Sequence, residues 1–334
     1  MGEKKIYFDV INSVKGGSGK STVSLLLAAC LNHTGASPYI IDLDLHGSSW
    51  YSNFFGGSGS GTLGPDTVLI NDWMRDPAFS GKKDSFGNVK VKILAPDEEE
   101  PTIPAAIIDP LKIEVVDEVE TDLFERAIFQ VVDKIISREG GILGNAVHIV
   151  LDMPPSNEVH AERILNQLLL DAESPLMQKF VDSKGSYASF SPYLVHLIML
   201  SPVSGAHLDL NKEYFTRFAE AKTFSSRLDE FVSADRFRLM FWGNDAVGGI
   251  KSSDTDSSKA FIEALQKAQT DAVNESRFSN EAKRKIVPYS PIIIPHNDEI
   301  KHDIYSLTKT IGDEQKPISN ETVKNIISAI KEWK

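Results

Sequence analysis

The 334-residue chain has a single cysteine, Cys30. One thiol cannot close an internal disulfide, form a CxxC redox pair or build a cysteine metal site within one chain, and a reducing compartment fits. Long apolar runs are also missing: no stretch approaches the ~20 apolar residues of a membrane span. The opening MGEKKIYFDVINSV lacks the apolar core of a secretory signal and leads straight into a glycine loop, so a cytoplasmic location is expected. Excess positive charge is missing too. The formal net charge of −12 argues against a global pull toward DNA or anionic lipid and leaves local basic patches as the only electrostatic route to either. There is no internal repeat and no clear linker. With 41% hydrophobic residues the chain can bury a sizeable core, and a single domain over 1–334 is the simplest reading.

What is present begins with an alternation of element types. Ile6 to Val14 reads as a buried strand, a glycine loop follows, STVSLLLAACLNHTG reads as a helix stopping at Gly35, and PYIIDLDLHGSSW reads as a second strand. Strand, loop, helix, strand is the βαβ grammar of a parallel α/β sheet. VLINDWMRDP reads as a short helix and NVKVKIL as a strand. In TDLFERAIFQVVDKIISREGG the residues Leu123, Ala127, Ile128, Val131 and Ile135 recur at helical spacing, with Thr121 or Asp122 as candidate caps. AVHIVLD, YLVHLIMLSP, RFRLMFWGN and KIVPYSPIIIP supply further strands, and SNETVKNIISAIKEWK a final helix. Residues 101–120 have no clear assignment, and elaborations on the core are expected at about 56–144 and 243–280.

The loop SVKGGSGKST (Ser13–Thr22) matches the end of the phosphate-binding pattern G-x-x-x-x-G-K-[ST], with Val14 where the first glycine usually stands. Gly16, Gly17 and Gly19 carry no Cβ to block an approaching anion, so backbone N–H groups, that of Ser18 included, can turn inward to a phosphate. The helix that begins near Lys20 points its positive end at the same place. In that pattern Lys20 reaches the β- and γ-phosphates, Ser21 offers its hydroxyl to Mg²⁺ and Thr22 is placed for the α-phosphate. Asp42 and Asp44, two apart, point to the same side of a strand end. Asp152 stands at the carboxyl end of HIVLD, the end where α/β sheets bind ligands, and Pro154-Pro155 stiffens the turn after it.

KGGSGKST resembles the deviant Walker A loop, K-G-G-x-G-K-[ST], of the ParA/MinD group of ATPases. The resemblance implies a doubly wound, mostly parallel sheet with ATP and Mg²⁺ as cofactors. It also implies a homodimer that forms on ATP binding and slow hydrolysis stimulated by a partner protein. Lys15 matches the group's signature lysine, which crosses the dimer interface to the partner's phosphates, and a cation there offsets charge that grows in the transition state. Asp44 matches the residue that orients the attacking water, Asp42 one near the Mg²⁺ shell, and Asp152 the Walker B carboxylate. In the family D-x-D-P-Q-G-N segment this chain carries Leu45, His46 and Ser48 in place of Pro, Gln and Asn. That departure bears on hydrolysis and partner response, not on nucleotide binding. Asn244 and Pro295–Asn297 match the loops that contact the base.

Members of this group act on different surfaces. Cluster carriage needs cysteine pairs, which this chain lacks. A partition-type role would use nonspecific DNA, with Lys283–Lys285, Lys251 and Lys259 as the available cations. A MinD-like role would use a C-terminal amphipathic helix on membrane: Val323, Ile326, Ile327, Ile330 and Trp333 share a face, although such a stripe also serves a helix packed on its own sheet. A nucleotide-gated binding protein with little turnover is the third reading, suggested by the altered D-x-D segment. A metabolic P-loop ligase of the dethiobiotin-synthetase type is a distant fourth. DNA or plasmid partition, or positioning of another cargo, is the expectation that leads.

Overall fold

A computed structural model describes residues 4–45, 50, 61–62, 67–75, 86–90, 102–113, 118–140, 146–155, 159–202, 205–220, 229–232, 234–244, 255–286, 290–294 and 320–333. The strands are β1 (Ile6–Asn12), β2 (Ser37–Asp42), β3 (Gly61–Thr62), β4 (Gly87–Lys90), β5 (Thr102–Ala106), β6 (Val147–Asp152), β7 (Leu194–Pro202), β8 (Phe237–Asn244) and β9 (Ile293–Ile294). They form one sheet in the order β3-β4-β5-β2-β6-β1-β7-β8-β9. From β5 to β9 every pairing is parallel, while β3 and β4 close one edge antiparallel. The expected α/β sheet is therefore present, with a short antiparallel edge built from the region between 56 and 144.

The central strand shows why the sheet needs cover on both sides. β1 is buried at every position; Ile6, Phe8 and Val10 enter one apolar layer and Ile11 the other. Helix α1 (Lys20–His33) lies on the Ile11 side and is buried continuously from Val23 to Leu31. It has few polar positions to show water because it is held between the sheet and the last helix. The opposite layer is filled from α2 (Ile70–Arg75), α3 (Glu118–Glu139), α4 (Val159–Arg163, continuing as a π-turn through Leu169), α5 (Pro175–Asp182), α6 (Gly205–Glu220) and α7 (Thr255–Glu275). A short α8 (Asn280–Lys285) follows, capped by the Ser279 hydroxyl on the Ala282 N–H. Helix α3 begins at Glu118, so Thr121 and Asp122 lie inside its first turns and do not cap it; Asp122 instead pairs with Arg163 at 2.7 Å.

The last described helix, α9 (Asn320–Glu332), bears on one expectation. Its residues Ile326, Ala329 and Ile330, with Trp333 just beyond, are buried in the α1 layer, and the Trp333 ring lies tilted against Trp242 and His196. Of the stripe, Ile326, Ile330 and Trp333 pack into the chain's own core, as the packed-helix alternative expects. Among the described residues no helix is long and apolar enough to cross a membrane.

Candidate nucleotide site

Strand order places the site. The chain leaves β1 through α1 toward β2 on one side, and leaves β6 through α4 and α5 toward β7 on the other. The carboxyl ends of β1, β2 and β6 thus stand side by side where the winding reverses, the position at which open α/β sheets bind ligands. Asp42 pairs in register with Asp152, and Ile11 with the same residue from the other side. The carboxylates and the loop that follows β1 are neighbours because three parallel strands end together.

The loop has the geometry of an anion cradle. Gly17 and Gly19 take positive φ, 72° and 86°, the left-handed region that favours glycine. Gly19 is the residue before α1, and no side chain caps that helix, whose N-terminal end is the kind that receives anions. Val14 has no positive φ, so the position usually held by the pattern's first glycine makes no such demand here. Lys20, 9% exposed, opens the helix; Ser21 and Thr22 follow, half-buried; Ser18 is buried with an unpartnered hydroxyl; Lys15 and Gly16 are exposed. A Cβ on Gly16 would lie 3.9 Å from the Pro155 ring, so the turn after Asp152 rests against the phosphate loop.

Two asparagines, Asn211 and Asn244, hold this loop in shape. Asn211, on α6, accepts the Val14 N–H at 3.1 Å through Oδ1 while its Nδ2 donates to the Leu200 carbonyl and the Ser201 hydroxyl. Asn244, expected at the base, donates its Nδ2 to the Ser18 carbonyl at 2.8 Å, so this side chain clamps the loop. It also explains Gly19: a Cβ there would meet Asn244 Nδ2 at 2.3 Å. Gly19→Ala is therefore expected to cost about 2–4 kcal/mol, the sum of a left-handed alanine and the lost Asn244 bond, and to abolish nucleotide binding. Adding Asn244→Ala should recover part of the stability by opening room. Denaturant midpoints of the single and double variants check this; a Gly19→Ala protein as stable as wild type refutes it.

Around the carboxylates the chemistry is uneven. Asp42 is fully buried and accepts the Asp44 N–H at 3.1 Å, which sets the turn that presents the half-buried Asp44. Asp152 is 2% exposed. One of its oxygens, Oδ2, takes a 2.5 Å hydrogen bond from the Trp50 indole N–H; the other, Oδ1, is buried with no hydrogen-bond partner. Burial pushes the Asp152 carboxyl above the ordinary carboxylate range, with nearby Asp44 adding to the rise; a hydrogen bond from Ser21, the Lys20 ammonium and the Trp50 indole work against it. A bare buried oxygen on a carboxylate that shares its surroundings with Ser21 and Lys20 is what a hard, hydrated Mg²⁺ needs. The donor set fits that ion. Pro295 to Asn297, with His46 and Ser48, lie outside the described residues.

The ParA family model, described as a NUBPL iron-transfer P-loop NTPase, matches residues 5–65, which span β1, the loop, α1 and β2. No curated protein matches the sequence. Among solved structures, the ParA of pNOB8 is 14% identical with a TM-score of 0.51, over 99% of this chain and 100% of that one. A putative plasmid partition protein of Borrelia burgdorferi B31 bound to AMPPNP is 13% identical over all of both chains, TM-score 0.48. The cell division ATPase MinD of Pyrococcus furiosus is 13% identical over 98% of this chain and 99% of that one, TM-score 0.46. At 14% identity the likeness to the pNOB8 ParA is one of fold. The family match runs across the phosphate loop, and the whole chain shares the fold of the pNOB8 ParA.

Proposed function

We propose that the chain is one Mg-ATP-dependent ATPase domain that acts as a dimerising switch, with DNA partition or cargo positioning as its task. The observation that carries this reading is the juxtaposition of an uncapped helix and glycine cradle with the bare oxygen of Asp152, beside an exposed Lys15. The glycines, Ser18 and Thr22 hold phosphate by backbone and hydroxyl contacts, and Lys20 neutralises it. Ser21 and Asp152, with Asp42 behind them, hold Mg²⁺, which offsets charge on the β- and γ-phosphates when bound. Asp44 positions the attacking water. Lys15 reaches the nucleotide of a second copy, so that nucleotide state and dimer become one equilibrium. The expected setting is the cytoplasm, with an activating partner protein.

The substitutions Leu45, His46 and Ser48 favour a second reading, a nucleotide-gated binder with little turnover. Charge lends DNA modest support: in the basic run, Lys283 donates to the Asn274 carbonyl and Lys285 stands 3.6 Å from Glu281. The DNA reading rests on the fold and on the doubling of any patch in a dimer. It is tested by fluorescence anisotropy of a random-sequence duplex titrated with Asp44→Ala protein. Binding is expected in Mg-ATP and not in ADP, falling roughly 100-fold over a fourfold rise in salt if about four phosphates are contacted. No binding in either nucleotide, with the dimer confirmed by mass, removes DNA as the surface.

A further inference from the structure

We infer that Trp50 is a positioning residue for the metal side of the site: its indole N–H fixes the Asp152 carboxylate so that Oδ1 alone faces the Mg²⁺ shell. The inference rests on the Mg-nucleotide reading above and deepens it. Three observations carry it. Trp50 is fully buried in the α1 layer, among Ile11, Leu25, Ile40 and Val150, so the ring has no freedom to follow a moving partner. Its Nε1 reaches Asp152 Oδ2 at 2.5 Å, across 102 residues of sequence. The remaining oxygen of that carboxylate is buried and unpartnered.

A buried indole N–H needs an acceptor, and a backbone carbonyl would serve for stability alone. Here the acceptor is the one carboxylate at the end of β6, the group that the site's chemistry needs in a single rotamer. An aspartate free to turn offers either oxygen, or both, to an incoming ion and loses that freedom on binding. An aspartate tied by one oxygen to a ring packed in the core has already lost it. Partners that orient a metal-binding side chain commonly contribute about 10–100-fold to metal affinity.

The test reads binding, not turnover. Affinity for a fluorescent ATP analogue is measured in Mg²⁺ and in EDTA, for wild type and for Trp50→Phe, which keeps an aromatic ring and loses the N–H. Wild type is expected to gain affinity from Mg²⁺. In Trp50→Phe the gain should shrink at least about 10-fold while the EDTA affinity stays within about 2-fold of wild type. Should the phenylalanine variant fail to fold, β-(3-benzothienyl)alanine placed at position 50 keeps the bicyclic shape and replaces only the N–H. An undiminished Mg²⁺ gain in either folded variant overturns the assignment of Trp50 and leaves the nucleotide reading standing. A wild-type protein whose ATP affinity ignores Mg²⁺ overturns the nucleotide reading, and the role of Trp50 with it.

Discussion

Lys20→Ala is expected to lower Mg-ATP affinity by at least about 100-fold, beyond detection in a micromolar titration. Lys20 is the first residue of α1 and is 9% exposed, so it stands at the helix's positive end with little water around it. A charge-assisted hydrogen bond to a phosphate contributes about 1.5–3 kcal/mol, and two such bonds correspond to roughly 100-fold or more. The same placement argues that the fold survives the change. A cation at a helix N-terminus opposes the macrodipole, so its removal relieves the helix by a few tenths of a kcal/mol. Against this, the Lys20 charge stabilises the anion of Asp152. The two effects oppose each other, and the apo melting temperature should move by only a few degrees. Calorimetric titration with ATP and a thermal melt of the same sample decide the matter; wild-type affinity in Lys20→Ala would remove the phosphate-loop assignment.

The parts of this molecule that were legible in the sequence are those whose signals are local. β1, its loop and α1 announce themselves because an apolar run, three glycines and a lysine-serine pair are contiguous. β5 did not, and Pro104 is the reason. A proline within TIPAA argues against a strand that has a neighbour on each side. The structure accommodates it by register: β5 pairs with β2 only at Ala105 and Ala106, so Pro104 faces Asn88 of β4 and needs no N–H for the parallel partner. Helix α7 went unassigned within the 243–280 elaboration, although Phe261, Leu265, Ala268 and Ala272 recur at helical spacing and turn to the core. In the site the boundary between legible and hidden is sharper. Gly17, Gly19, Lys20 and Asp152 are found by motif. The contacts that hold them, Asn211 to Val14, Asn244 to Ser18 and Trp50 to Asp152, span 197, 226 and 102 residues. Asparagine and tryptophan serve caps, turns and cores equally well, and only the meeting of strand ends shows which groups they touch.

Lys15→Ala is expected to bind ATP within about 3-fold of wild type and yet to stay monomeric at concentrations where wild type dimerises. Lys15 lies between the Val14 N–H that Asn211 holds and the left-handed turn at Gly17, is exposed, and among the described residues has no hydrogen-bond or ion-pair partner in its own chain. A surface lysine of that kind contributes little to folding, so its loss should leave stability within about 0.5 kcal/mol. If its ammonium instead meets a triphosphate across an interface from which water is excluded, losing it forfeits several kcal/mol of association, roughly 100-fold or more in the dimer constant. Mass by light scattering in Mg-ATP reads the outcome, and a normal dimer would sink the trans assignment. A mixture separates trans from cis more cleanly. Lys20→Ala keeps Lys15 but holds no nucleotide, whereas Lys15→Ala holds nucleotide but lacks the lysine. If Lys15 acts across the interface, combining the two builds one complete site from opposite halves, and a heterodimer appears in Mg-ATP that neither variant forms alone. If it acts within its own chain, each site in the mixture still lacks either the lysine or the nucleotide, and the sample remains monomeric.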